Sequence, residues 1–271
     1  MKSILILINL FVLTFSFGQD SIYSWKEKFR ISEKTISGWN TDAFGNLIVA
    51  SSSSLIKYNL EGDITHKISS KSFGEIKQII PITPLKIVLF SEQQQQICFV
   101  DNTLTPVDLC IDLGDYNIEF ATYIVRSSRG GKLWVFDQVN SVLLLIDLTK
   151  SGKIVQEIRN TKGLISINDL TEIIEFQSNL YLFDATGQLT IFDLNGTFIS
   201  QQKLDCQEIS ASDNRIWLVN QDKLVFISEQ DNSAELCGLP ITDVVSFRAN
   251  SDCFFFQNKN EIRSYNLVKK K

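Results

Sequence analysis

The stretch GGKLWVFDQVNSVLLLIDL, residues 130–148, decides how the rest of the chain is read. It holds two short apolar runs, LWVFD from Leu133 and LLIDL from Leu144, parted by the polar Asn140 and Ser141. Each run is too short for a core helix and has the leucine, valine and aromatic content of a strand. Working outward, the same couple recurs along the chain. First runs are LIVAS from Leu47, IVLFS from Ile87, LYLFD from Leu180, IWLVN from Ile216 and FFFQN from Phe254. Second runs are IKYNL from Ile56, CFVDN from Cys98, TIFDL from Thr190, VFISE from Val225 and RSYNL from Arg263. First runs start 40, 46, 47, 36 and 38 residues apart, and the offsets within the six couples are 9, 11, 11, 10, 9 and 9.

A repeat of about 40 residues built from strands is the period of one propeller blade. An outer strand is expected after each couple: Ile64 to Ile68, Val107 to Leu113, Lys153 to Ile158, Phe198 to Leu204 and Ser233 to Leu239. The sixth couple has none, because the chain ends at Val268 and three lysines. A spare strand stands at the other end, Tyr23 to Ile31, where Tyr23, Trp25 and Ile31 alternate with charged residues. Pairing it beside Ile262 to Leu267 closes the ring and removes an exposed edge. The expectation is an all-β, six-bladed β-propeller with about four strands per blade, formed as a single domain by residues 19–271. Segment 160–168 is the one place long enough to hide a further strand.

DAFGNLIVAS (42–51) and GGKLWVFD (130–137) resemble the D-x-x-G-x-L-[WI]-V hairpins of six-bladed propellers in the NHL and SMP-30-like superfamily. DATGQLTIFD (184–193) has the same turn one hairpin later in its blade. The physics is a tight bend: Asp caps it, and Gly supplies the positive φ before the next strand. The SMP-30-like members imply a metal-dependent hydrolase of lactonase type, with one divalent cation at the channel mouth. Oxygen ligands would come from Glu75, Asn117, Glu119, Glu172 or Asp243. No WD, kelch or YWTD pattern is present.

Residues 1–18 read as a secretory signal peptide: Lys2, an apolar core from Ile4 to Phe15, then Ser16-Phe17-Gly18 before a cut at Gln19. The apolar run is shorter than the roughly 18 residues that span a bilayer. Gln19 is not a cysteine, so the mature chain is expected to be exported, periplasmic or outer-membrane associated, and not a lipoprotein. Its net charge of -6 after cleavage excludes a phosphate-tracking nucleic-acid binder. Cys98 and Cys110 lie symmetrically about Leu104. A hairpin turn over Asn102 to Pro106 sets them face to face, as a cross-strand disulfide or as two small buried hydrophobes. Cys206, Cys237 and Cys253 show no metal-ligand spacing.

The single histidine, His66, falls in an outer strand, and there is no nucleophile elbow, dinucleotide fingerprint or phosphate loop. One positional pattern stands out. Five repeats carry an acidic and then an apolar residue before the first run: Glu75-Ile76, Glu119-Phe120, Glu172-Ile173, Glu208-Ile209 and Asp243-Val244. Trp39 stands near the equivalent place in the first repeat. If the crossovers deliver these residues beside the axis, five carboxylates ring one mouth of the channel and attract a small cationic ligand or a basic partner. Trp39 and Trp134 would suit stacking of a carbohydrate or peptide, although Trp134 shares its repeat position with Trp217, as core residues do. The composition thus favours an exported, non-enzymatic interaction or ligand-binding module of the bacterial cell envelope, monomeric or part of a complex, with no cofactor. The metal-dependent hydrolase is the alternative.

Overall fold

The computed structural model describes residues 23–150, 153–159, 161, 163–164, 170–212, 215–228, 234–250, 253–259 and 261–269. The expected leader, residues 1–18, and most of segment 160–168 lie outside the described residues. Six four-stranded antiparallel sheets make up the fold. Blade one is β2 (Gly38–Thr41), β3 (Leu47–Ala50), β4 (Ser54–Tyr58) and β5 (Ile64–Ser69). Blade two is β6 (Gln78–Thr83), β7 (Lys86–Ser91), β8 (Gln96–Asp101) and β9 (Ile111–Asp112). Blade three is β10 (Ala121–Arg126), β11 (Lys132–Asp137), β12 (Val142–Asp147) and β13 (Lys153–Ile158). Blade four is β14 (Leu170–Phe176), β15 (Asn179–Asp184), β16 (Gln188–Asp193) and β17 (Phe198–Lys203). Blade five is β18 (Glu208–Ser212), β19 (Arg215–Asn220), β20 (Lys223–Ser228) and β21 (Ala234–Gly238).

The sixth blade takes three strands from the end of the chain, β22 (Ser246–Asn250), β23 (Cys253–Gln257) and β24 (Glu261–Lys269). Its outer strand is β1 (Tyr23–Ser32), which pairs antiparallel with β24 from Tyr23↔Lys269 to Ser32↔Glu261. The innermost strands β2, β6, β10, β14, β18 and β22 neighbour one another in turn, and β22 returns to β2. The ring is therefore closed by the N-terminal strand, which completes the fourth strand of the sixth blade.

The core is not a single centre. It is divided into six apolar layers, each between two adjacent blades. Every middle strand is thus covered on both faces, which is why Leu47–Ala50 and Val142–Asp147 are buried throughout. That double covering produces continuous apolar runs in the sequence instead of alternation. Outer strands β5 and β17 alternate between exposed and half-buried residues, because only one face packs.

The turns obey the chemistry read from DAFGN and DATGQ. Asp42 Oδ1 accepts from the backbone N–H groups of Phe44 and Asn46, each at 2.9 Å, and Asp184 Oδ1 does the same for Thr186 and Gln188. Gly45 and Gly187 sit at φ 81° and 83°, where a side chain is strained, and a Cβ on Gly187 would meet Leu204 O at 2.6 Å.

Two details differ from the sequence expectation. The outer strand of blade two shrinks from Val107–Leu113 to Ile111–Asp112, because Pro106 has no N–H for the ladder and only an isolated Val100↔Pro106 bridge precedes it. Cys98 and Cys110 are joined there by a disulfide, with Cα atoms 4.2 Å apart. The glutamine run 93–96, polar enough to be expected as a solvated hairpin tip, also makes contacts across blades. The Gln95 side chain donates to Ala121 O at 2.9 Å and accepts from Ala121 N at 2.6 Å, which ties blade two to the innermost strand of blade three.

Candidate functional site

Register fixes what reaches the axis. The fourth residue of each second-strand motif, Ala50, Phe90, Phe136, Phe183, Val219 and Gln257, faces Gly38, Gln78, Tyr123, Glu172, Glu208 and Ser246 respectively. Two residues further along each innermost strand stand Asn40, Ile80, Val125, Ile174, Ser210 and Arg248. Because side chains alternate along a strand, both sets share the face opposite Ile79, Ile124, Ile173 and Ile209, and on that face Ile80, Tyr123, Val125 and Ile174 meet the layer on the other side of their blade.

Of the five expected carboxylates, only Glu172 and Glu208 occupy equivalent positions. Glu75 is exposed and accepts from Gln93 Nε2 at 2.7 Å. Glu119 is exposed, and its backbone N–H donates to Asp137 Oδ2 at 3.1 Å. Asp243 is exposed on a turn with φ 55°. These three lie in crossovers ahead of β6, β10 and β22, whereas Glu172 is inside β14 and Glu208 opens β18. The acidic residue stands at different places relative to its strand because the innermost strands start at different points, and three carry register shifts, at Pro81/Thr83, Ala121/Tyr123 and Leu170/Glu172. Asn117 is a left-handed cap at the end of the 3-10 turn Leu113–Tyr116, also off the axis. Among the described residues no three Asp, Glu, Cys or His side chains are grouped to hold a metal ion.

Glu172 and Glu208 instead meet two residues that spacing did not mark. Glu172 accepts from the Tyr123 hydroxyl through one oxygen and from Arg248 Nη2 at 3.2 Å through the other. Arg248 also donates to Phe247 O at 2.7 Å and lies 5.9 Å from the Trp39 ring. Trp39 is 7% exposed, and its Nε1 donates to Gln257 Oε1, so its indole is packed between blades one and six and offers no stacking platform. Trp134 is wholly buried as well. Burial, then the Glu172 charge, hold the Tyr123 phenol well above its ordinary value. Burial works against the Arg248 cation, but Glu172, Tyr123 and Glu208 outweigh it and raise its affinity for the proton.

Glu208 makes no hydrogen bond or ion pair among the described residues. Burial first and neighbouring Glu172 second push its carboxyl from 4.5 up to about 7, with Arg248 opposing. The folded chain therefore keeps a proton on Glu208 that the unfolded chain has released, so this group costs stability progressively as pH rises from 4.5 towards 7. Glu208→Gln should melt higher than the parent at pH 8, by roughly 2–4 °C for each kcal/mol regained in a chain of this size. The two should converge at pH 4.5. Paired thermal melts at the two pH values check this; an equal difference at both would remove the titration as its cause.

At the opposite end of the innermost strands the channel opens into a pocket of about 580 Å³, continuous at Asn40, Glu172 and Arg248 with a smaller one of about 200 Å³. Its apolar wall includes Pro81, Pro84, Val125, Ile174 and Phe176. Its charged groups are Asp42, Arg126, Glu172, Glu175 and Arg248. The turns after β2 and β6 that rim it carry Phe44 (60% exposed) and Leu85 (67%). In an antiparallel meander the turns between the third and fourth strands share that face, and those of blades one and two carry Leu60, Val107 and Leu109, the last 91% exposed. Phe120, Val139 and Val245 are exposed on the opposite face, and Ile64, Val155, Phe198 and Ile199 are exposed on outer strands.

Fold and site together define a closed six-bladed β-propeller with a polar channel and one lopsidedly apolar face. Solved structures share the fold. The Pan2 WD40 domain of Neurospora crassa superposes with a TM-score of 0.65 at 11% identity, covering 92% of this chain and 96% of that one. Virginiamycin B lyase of Staphylococcus aureus gives 0.63 at 10% identity, covering 91% and 100%. PorZ of Porphyromonas gingivalis, described as an essential bacterial surface component of the type-IX secretion system, gives 0.57 at 9% identity; 91% of this chain matches 39% of that one. No protein-family model matches the chain, and no curated protein matches it.

Proposed function

We propose that the chain is an exported, non-enzymatic propeller of the bacterial cell envelope whose pocketed face docks another protein. The observation that carries this reading is the concentration of Phe44, Leu60, Leu85, Val107 and Leu109 on one face of two adjacent blades. Exposed apolar groups gathered around a pocket mark an interface, whereas single scattered ones do not. Export is supported by the leader-like residues 1–18 and by the Cys98–Cys110 bond, since disulfides persist in oxidising compartments. Likeness to a secretion-system surface component fits the same setting.

Likeness to the lyase supports an enzyme reading less well. A histidine-to-alanine variant of that enzyme is described as catalytically inactive. The sole histidine here, His66, sits on outer strand β5, away from the channel. A metal-dependent hydrolase would need carboxylates free to hold a cation, and those lining the pocket already have donors.

The test is site-specific photocrosslinking in the native envelope, from position 85 and, as a control on the opposite face, position 139. A single crosslinked species from position 85, absent from position 139 and lost in Phe44→Asp/Leu109→Asp at unchanged melting temperature, is expected. Equal capture at both positions, or none at 85, would overturn the docking reading.

A further inference from the structure

The carboxylates that line the pocket already accept hydrogen bonds. Glu175 Oε1 accepts from Ser128 N at 2.8 Å and from the Ser128 hydroxyl, and Oε2 accepts from Trp134 Nε1 at 2.6 Å. Asp42 is held by Lys57 Nζ at 2.7 Å and by three donors of its own turn. Glu172 is held by Tyr123 and Arg248. No carboxylate in the wall is left without a donor.

The cations differ. Arg126, the last residue of β10, lines both pockets and has no hydrogen-bond or ion-pair partner among the described residues. Arg248 spends one N–H on Glu172 and one on a backbone carbonyl, and a guanidinium carries more donors than that. Arg126 is therefore the charged group of the pocket wall left without a partner among the described residues, with spare N–H groups of Arg248 beside it. A guanidinium matches a planar carboxylate in a fork of two parallel bonds. Around the two arginines lie Pro81, Val125, Ile174 and Phe176, which suit an apolar side chain.

Shape narrows the source of that carboxylate. The pocket stands at the ring centre, bordered by the turns after β2, β6 and β10 and by the ends of β14, β18 and β22. An internal segment must enter and leave such a well as a tight hairpin, while a chain end enters once. We infer that the pocket receives the C-terminal carboxylate of a docked protein, with an apolar last residue against the prolines and Arg126 and Arg248 on the carboxylate. This rests on the docking reading above and names the chemistry of the partner's end. It takes the place of the cationic ligand expected from a ring of five acids, because of those five the pocket is lined by Glu172 alone, and Glu172 is engaged by Tyr123 and Arg248.

The experiment is a nuclear magnetic resonance titration of the full mature chain with N-acetyl-phenylalanine, its primary amide, and N-acetyl-aspartyl-phenylalanine amide. The free acid should shift the amide signals of Ser128 and Ala249, bind at least tenfold more tightly than its amide, and lose that preference in Arg126→Gln. Arg126 is exposed and unpartnered, so the variant should melt like the parent. Equal binding of acid and amide, an undiminished preference in Arg126→Gln, or no binding of the acid would overturn the inference. Tighter binding of the aspartyl compound would overturn the terminal assignment. If the position-85 crosslink survives in Arg126→Gln at undiminished yield, docking stands and the carboxylate assignment falls; if the crosslink never forms, docking itself fails.

Discussion

A chain lacking residues 19–32 should melt far below the full protein and run as larger species in gel filtration. The deletion removes β1, whose Trp25 packs edge-on against Phe254 and Phe256 at 5.3 and 5.4 Å and whose Ile31 is buried in the layer between blades six and one. Losing those two side chains alone costs about 5 kcal/mol, which in a chain of this size lowers the melting temperature by roughly 10–20 °C. It also bares the length of β24, from Glu261 to Lys269, as a free edge on which other chains can pair. Trp25→Ala keeps the edge covered and should show the stability loss, about 3 kcal/mol, without the association. Calorimetry with light scattering checks both; an unchanged melting temperature after the deletion would show that the ring does not depend on its N-terminal strand.

Lys57→Met should be the most damaging single substitution at a charged position. Lys57 and Asp42 form an ion pair with side chains only 6% and 2% exposed, and Lys57 Nζ also donates to Asn102 O at 2.9 Å. Three places are joined by one ammonium group: the first turn of blade one, its third strand, and the disulfide-closed loop of blade two. Removing one partner strands a buried carboxylate, a loss of about 3–5 kcal/mol. Adding Asp42→Asn, which keeps the turn acceptor and removes the charge, should restore part of that loss. Burial raises the Asp42 carboxyl, but its bonds to Lys57 and Asn46 outweigh burial and hold it below the ordinary 3.8. Its contribution is therefore complete above 3.8 and disappears as pH falls through the lower folded value, so the parent and Lys57→Met should converge in strong acid. Urea titrations at neutral and acid pH measure both effects.

The architecture was legible because the blades bury their middle strands on both faces. LWVFD and LLIDL announce β11 and β12 by composition alone, and the missing sixth outer strand could be found by counting, since a closed ring must take it from the other terminus. Turn chemistry was legible for the same local reason, with Asp42 and Gly45 doing in space what their spacing implied. The channel was not. Innermost strands such as Ser246–Asn250 are short and mixed, and their register is set by bulges and crossover lengths that leave no periodic trace. The acidic–apolar pattern marks Glu172 and Glu208 together with Glu75, Glu119 and Asp243, which stand in the crossovers instead of the strands. Tyr123, Arg248 and Arg126 escaped because nothing within ten or so residues of each tells that they share a space. A cross-repeat alignment on the second strand, counting back to the facing residue, would have put Tyr123 and Glu172 at one level.

The strand translated first is the one used last. Ser24 and Val268, 244 residues apart, meet only when both have been made, and closing so long a loop costs about 5 kcal/mol of entropy before any contact repays it. Until then blade six lacks its outer strand, and the sixth layer, which needs blades six and one together, cannot form. A nascent chain that stops short of β24 is thereby held below its final stability. The same latch holds the ring shut, so amide exchange along Tyr23–Ser32 would report its opening.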